Sequence, residues 1–195
     1  MDIAVESASE KEIRFRVSGT TTAFVNAVRR TGMSVLKIFG IDKITVYENT
    51  SPIFDEYIAN RIGLVPITTP SGYDDNDAVL FTLDKDGPAT VHSKLLKSSD
   101  PKVKVANTDI PLIRLADGQH LRLEASAKLG TAKQHARHQA GIMAYEIDKK
   151  EDGAFNFLVE SFGQISAKEM LAQSADSLEE RLEEMKKQLK AASKG

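Results

Sequence analysis

The chain has 195 residues, 41% of them hydrophobic and 28% charged, with 26 Lys and Arg against 28 Asp and Glu, a formal net charge of -2 and no cysteine. That length and apolar content suffice for one large domain or two small ones, each with its own core. The near-neutral balance removes any global drive toward nucleic acid, and the lack of cysteine excludes disulfides, a cysteine nucleophile, zinc–thiolate sites and thiolate-held iron–sulfur clusters.

In chain order, Ile3 and Val5, then Ile13, Phe15 and Val17, alternate with polar residues about a polar break at 7–11, the pattern of a half-buried hairpin. Thr21 or Thr22 caps a helix that carries Phe24, Ala27, Val28, Arg29 and Arg30 and extends toward Lys37, with Gly40 as its stop and Gly32 weakening the extension. A strand over 41–48 then leads into Tyr47-Glu48-Asn49-Thr50-Ser51-Pro52-Ile53-Phe54-Asp55-Glu56-Tyr57-Ile58-Ala59-Asn60-Arg61-Ile62-Gly63-Leu64-Val65-Pro66-Ile67. Here Ser51 is the expected N-cap, with Pro52 at the first helical position, where its missing N–H costs nothing, and Gly63 as the close. Ile53, Phe54, Tyr57, Ile58 and Ile62 recur at helical spacing as a buried stripe, leaving Asp55, Glu56, Asn60 and Arg61 outside.

From Leu64 onward short extended runs alternate with turns. Residues 79–83, 89–93 and 102–105 read as strands, and 73–77 and 97–101 as polar loops. A hairpin is expected between 112–115 and 120–125 across Asp117-Gly118, a favoured two-residue turn. Asp74, Asp75 and Asp77 lack the glycine and terminal glutamate of a calcium loop. The stretch Ala127-Lys128-Leu129-Gly130-Thr131-Ala132-Lys133-Gln134-His135-Ala136-Arg137-His138-Gln139 gathers Lys133, His135, Arg137 and His138. Two imidazoles without a third ligand do not make a zinc site, and the cluster reads as a loop that docks on protein, with a small phosphate patch as the lesser alternative. No nucleophile with an orienting base, glycine-rich phosphate loop or paired carboxylate stands out, so no catalytic residue, metal or cofactor is assigned.

A strand over 154–160 precedes the best-marked helix. Ser166 and Glu169 form a capping box, with Ile165 and Met170 as its staple. Leu171, Ala175, Leu178, Leu182, Met185 and Leu189 then follow in steps of four and three, an a/d seam flanked by Glu179, Glu180, Glu183, Glu184, Lys186, Lys187 and Lys190. This seam is either the edge of the protein's own core or, the favoured reading, a surface for a helix of another subunit.

The segment 47–67 resembles the signature of the archaeal D-type RNA polymerase subunits, relatives of the eukaryotic third-largest subunit and, more distantly, of the bacterial alpha amino-terminal domain. Phe24-Val25-Asn26-Ala27-Val28-Arg29-Arg30 is similar to that family's N-A-L-R-R element, and 127–139 to its A-x-x-G-x-G-x-x-H-A-K-W-x loop, with Ala132 for a glycine, Arg137 for lysine and His138 for tryptophan. The likeness covers nearly the whole chain. It implies an α+β fold: a discontinuous alpha-like dimerisation domain, 1–43 and 151–195, with a mainly β domain, 44–150, inserted. It also implies a non-catalytic assembly subunit that heterodimerises with the small alpha-like subunit L through Phe24, Ala27, Val28, Leu171, Leu178, Leu182, Met185 and Leu189.

Arg29, Arg30, Glu56, Arg61, Lys133, His135 and Arg137 are then expected to face the large subunits, with the second-largest subunit and small subunits N and P as docking partners. Many members carry a cysteine-rich ferredoxin-like domain before the last strand, a point that 145–155 bridges directly here. A free-standing homodimeric scaffold built on the C-terminal seam is the alternative. No apolar run is long enough to span a bilayer, and Met1-Asp2-Ile3-Ala4-Val5-Glu6 does not read as a signal peptide, so a cytoplasmic location is expected.

Overall fold

The computed structural model describes residues 1–193. Among them the order is β1 (Asp2–Ala8), β2 (Glu12–Ser18), α1 (Thr22–Ser34), β3 (Ile38–Asn49), α2 (Asp55–Gly63), β4 (Ala78–Asp86), β5 (Ala89–His92), β6 (Lys97–Ser98), β7 (Pro111–Leu115), β8 (His120–Gly130), β9 (Gly141–Ile147), β10 (Phe155–Ser161) and α3 (Ala167–Ala192). The fold is α+β and divides into two compact units, the first from Met1–Leu36, Ala140–Phe162 and Ser166 onward, the second from Lys37–Gln139 and Gly163–Ile165. These crossings differ from the expected boundaries at 43 and 150. All of β3 pairs with β8 in the second unit, whereas β9 pairs with β10 in the first.

In the first unit an antiparallel sheet runs β1-β2-β10-β9. Its inner face is Ile13, Phe15 and Val17 of β2 with Phe155, Phe157 and Val159 of β10, all buried. Phe15 and Phe157 stack at 5.0 Å between centroids. β1 is not half-buried as its alternation suggests: every residue is exposed, it forms one edge of the sheet, and its register slips between Val5 and Ser7. The β9–β10 connection closes with Asp148 N–H donating to Ala154 O at 2.9 Å. Arg16 grips this turn through Asp148 and, at 2.6 Å, through Glu151.

α1 and α3 pack against each other and on this sheet. The Thr21 hydroxyl accepts from Phe24 N–H, so Thr21 is the cap. Ser166 likewise accepts from Glu169 N–H at 3.1 Å, but the Glu169 carboxylate accepts from Gln173 Nε2 at 3.1 Å, so the Ser166 arm of the expected capping box forms and Glu169 serves the next turn. α1 stops at Ser34, short of Lys37, and Gly40 lies inside β3 instead of ending a helix. Gly32 does not weaken α1. It lets the helix approach Met143 of β9 and Ser174 of α3 so closely that a Cβ would sit 2.5 Å from Ser174 Oγ.

The second unit holds a sheet β3-β8-β4-β6 and a ribbon β5-β7, all antiparallel. Its core includes Phe39, Ile41, Ile58, Ile62, Ile67, Phe81, Leu83, Val91, Leu115, Leu121 and Leu123. The expected hairpin of 112–115 with 120–125 does not form. β7 pairs with β5, and β8 with β4, so β4 then β5 run beside β8 then β7 as one long interrupted ladder. Asp117-Gly118 makes only an excursion in it, closed by Gln119 N–H to Ala116 O at 3.2 Å. Residues 102–105 form no strand beyond a single bridge of Val105 to Ile67, while Lys97–Ser98, expected as loop, pairs with β4.

The signature helix also differs. α2 starts at Asp55 with Phe54 as its N-cap and no side-chain cap bond. Asn49 organises the lead-in, donating from Nδ2 to Ile53 O and to Asp55 Oδ1, each at 2.8 Å, and accepting from the Ser51 N–H and hydroxyl. Only Ile58 and Ile62 of the expected stripe are buried; Ile53, Phe54 and Tyr57 are exposed. Pro52 and Ser51 lie in a bend, so Ile53 and Phe54 precede the helix and do not share its face.

Candidate functional site

Along α3 the apolar seam changes character. Met170 and Ser174 are fully buried, Leu171 and Leu178 half-buried, whereas Leu182, Met185 and Leu189 are 65%, 58% and 59% exposed. Beyond Leu178 no described residue of α3 is buried. Phe24 and Val28 of α1 meet Ala175, Leu178, Leu182, Met185 and Leu189 around an open groove of about 570 Å³ bordered by Glu179, Glu183 and Lys186. A second apolar cleft of about 350 Å³ shares Phe24, Val28 and Ala175 with it and continues over Ile3, Phe15, Val17, Phe157 and Leu171. Its floor is enclosed, since Phe15, Val17 and Phe157 are buried, and the exposed Ile3 and Phe24 carry the apolar surface from the groove along its rim. Continuous exposed apolar area of this kind marks a protein-interaction site.

Ala27 is half-buried and lies outside the groove lining. Ile3 is exposed although its alternation reads as a half-buried strand, whereas Phe15, Val17 and Phe157 are buried. Their alternation gives the strands but not which strand is left at an edge.

The arginines on α1 part company. Arg29 donates to Asn26 Oδ1 at 3.0 and 3.3 Å and is half-buried, while Arg30 is exposed. At α2 and its two caps, Phe54 is 79% exposed, Tyr57 57% and Leu64 51%, and Glu56 is exposed as well. Arg61 is held within its own unit, donating to Pro111 O and lying 6.0 Å from the Tyr57 ring.

The 127–139 stretch begins as the end of β8 and turns through a 3-10 segment at Ala136–His138. His138 is not a surface group. It is 6% exposed, its Nδ1 lies 2.7 Å from Ile38 O, and its ring fills a slot between Gly40 of β3 and Gly130 of β8. A Cβ on Gly130 would come within 2.6 Å of the imidazole, so glycine at both strands is what admits the ring. Burial pushes the His138 pKa below its ordinary 6.5. Arg137 folds inward to donate to Ile41 O, 3.8 Å from Asp42, and Lys133 and His135 remain exposed.

At the opposite end of β8, His120 bridges three strands, 3.1 Å from Glu48 of β3 and 2.8 Å from Asp84 of β4. The hydrogen bond to Asp84 raises its pKa above 6.5. Its two partners lie on different ring nitrogens, so the trio is an ion-pair clip and not a metal cradle.

The apolar α1–α3 groove on one unit, and exposed Phe54 and Tyr57 about α2 on the other, are surfaces of the protein-binding kind. Residues 43–148 match the model of the RNA polymerase Rpb3/RpoA insert domain, and the chain belongs to that family. It is 47% identical over 133 residues to DNA-directed RNA polymerase subunit Rpo3 of Natronomonas pharaonis, covering 68% of this chain and 54% of the relative. The Rpo3 of Pyrococcus furiosus is 39% identical, with 75% and 59% covered, and that of Methanocaldococcus jannaschii 37%, with 86% and 85% covered. The chain thus spans little more than half the length of two of these relatives and most of the third.

Proposed function

We propose that this chain is a non-catalytic assembly subunit of DNA-directed RNA polymerase. Its first unit pairs with the small alpha-like subunit L through the α1–α3 groove. Its second unit turns α2 and the Lys133–His135 loop toward the second-largest subunit and small subunits N and P. The observation that carries the reading is the exposure of Leu182, Met185 and Leu189 in a groove with Phe24 and Val28, on a chain of a polymerase-subunit family. Burying such side chains against a partner stabilises each by about 1.5–3 kcal/mol.

Within the second unit Arg61 and Arg137 support the docking elements from beneath, since both donate to carbonyls of their own unit. Phe54, Tyr57, Glu56, Lys133 and His135 are then the groups offered outward.

Co-expression with subunit L from the same genome, followed by size exclusion with light scattering, tests the reading. A one-to-one heterodimer is expected. A stable homodimer indifferent to L would replace this reading with that of a free-standing adaptor. The purified chain with template, magnesium and nucleotides should make no RNA, and robust synthesis would overturn the non-catalytic assignment.

A further inference from the structure

We propose that Glu179 and Lys186 select which helix enters the α1–α3 groove and fix the direction in which it lies, an inference that rests on the partner-binding reading above. Apolar walls alone accept any oily helix in either direction. Charges beside the seam discriminate, as they do where helices pair in coiled coils. Glu179 and Lys186 each follow a seam residue, Leu178 and Met185, and both line the groove; their neighbours Glu180 and Lys187 do not. The border therefore changes sign along its length, acidic at Glu179 and Glu183, basic at Lys186.

The occupant that fits is an amphipathic helix of the small alpha-like partner with its cationic end against Glu179 and Glu183 and its anionic end against Lys186. Helices favour acidic groups toward their N-terminus and basic groups toward their C-terminus. A helix with that order satisfies this border only when it runs antiparallel to α3. Reversed, it would set lysine against Lys186 and glutamate against Glu179, and like charges held close at an interface suppress the wrong pairing. In the free chain Lys186 Nζ pairs with Glu183 Oε1 at 2.7 Å, with 64% and 54% of the two side chains exposed. So solvated a pair exchanges readily for contacts across the interface.

The test uses four single reversals, each border variant matched in net-charge change by a neighbour: Glu179→Lys by Glu180→Lys, and Lys186→Glu by Lys187→Glu. Affinity for purified subunit L is measured at low salt and at roughly 1 M salt, where the screening length falls to about 3 Å. The border reversals should weaken binding by about fivefold or more and the neighbours by less than about twofold, with the difference vanishing at high salt.

Equal effects in both pairs overturn the proposal. If Leu182→Asp abolishes capture while the two pairs behave alike, only this inference falls; if Leu182→Asp binds normally, the groove reading falls with it. Direction is read separately, since a chain without cysteine takes single nitroxide labels cleanly. A label at Asp176→Cys should broaden NMR signals from the C-terminal end of the partner's helix, and one at Ala191→Cys signals from its N-terminal end. The opposite pattern refutes the antiparallel arrangement.

Discussion

Replacing Gly32 by alanine sets helix propensity against packing, and the two predict opposite signs. Propensity alone has alanine stabilising a helix interior by about 1 kcal/mol over glycine. The surroundings of Gly32 reverse this. An added Cβ would lie 2.5 Å from Ser174 Oγ on α3 and nearer still to Sδ and Cε of Met143 on β9. Met143 is 1% exposed and Ser174 fully buried, and the Ser174 hydroxyl donates to Met170 O at 2.5 Å, so neither group can move into solvent.

Overpacking a filled interior costs about 1–3 kcal/mol, and clashes with two separate elements place Gly32→Ala near the upper end. Subtracting the propensity gain leaves a destabilisation of about 2 kcal/mol, which for a chain of this size lowers Tm by roughly 4–8 °C. Urea and thermal unfolding of Gly32→Ala, Met143→Ala and the double variant, followed by far-ultraviolet circular dichroism, measure it. Removing the thioether makes room, so the double variant should be more stable than additivity predicts, by about 1–2 kcal/mol. A Gly32→Ala protein as stable as the parent, or more so, would refute the close approach of α1 to α3 and β9.

Leu182→Asp changes a side chain that is 65% exposed, so it should leave the melting curve within about 0.5 kcal/mol of the parent while abolishing capture of subunit L in a pull-down. On α2, Ile62→Ala empties a fully buried position and should cost about 2–5 kcal/mol in urea denaturation, against about 0.5 kcal/mol or less for the exposed Tyr57→Ala; comparable losses would restore the broader stripe. His120 and His138 should titrate on opposite sides of 6.5 in a proton–carbon NMR titration. The raised pKa of His120 means its stabilisation is fully present below 6.5 and lost as pH rises through the folded value. For His138 the lowered pKa means stability is complete above 6.5 and lost as pH falls through the folded value. A His138 resonance that titrates above that of His120 would refute the buried slot.

The parts of the fold that were legible in the sequence are those fixed by local chemistry. Ser166 caps α3, Thr21 caps α1, and the alternation of Ile13, Phe15 and Val17 gives a strand with one buried face. What was illegible depends on partners far along the chain. Asp117-Gly118 dictates a turn but not which strands pair across it, and burial of Leu121 and Leu123 with β4, and of Val91 with Ile113, settles the pairing. Ile53, Phe54 and Tyr57 have helical spacing relative to Ile58 and Ile62, yet the bend held by Asn49 takes the first two out of the helix.

The candidate site follows the same division. The seam spacing on α3 pointed to its exposed apolar face, but the exposure of Ile3 beside it could not be read from the alternation of β1. His138 was visible only as a substitution; the slot that admits it is made by Gly40 and Gly130, residues remote in sequence whose role no periodicity reveals.

The groove draws one wall from Phe24 and Val28 and the other from 175–189. A ribosome adding about 5–20 residues per second therefore needs roughly 7–30 s after making the first wall before the second exists. Throughout that delay the nascent polypeptide carries only half of the groove, and a product terminated before the second wall never completes it. On the proposed reading, pairing through this surface doubles as an inspection of length, passing on only molecules whose translation ran beyond the last of these side chains.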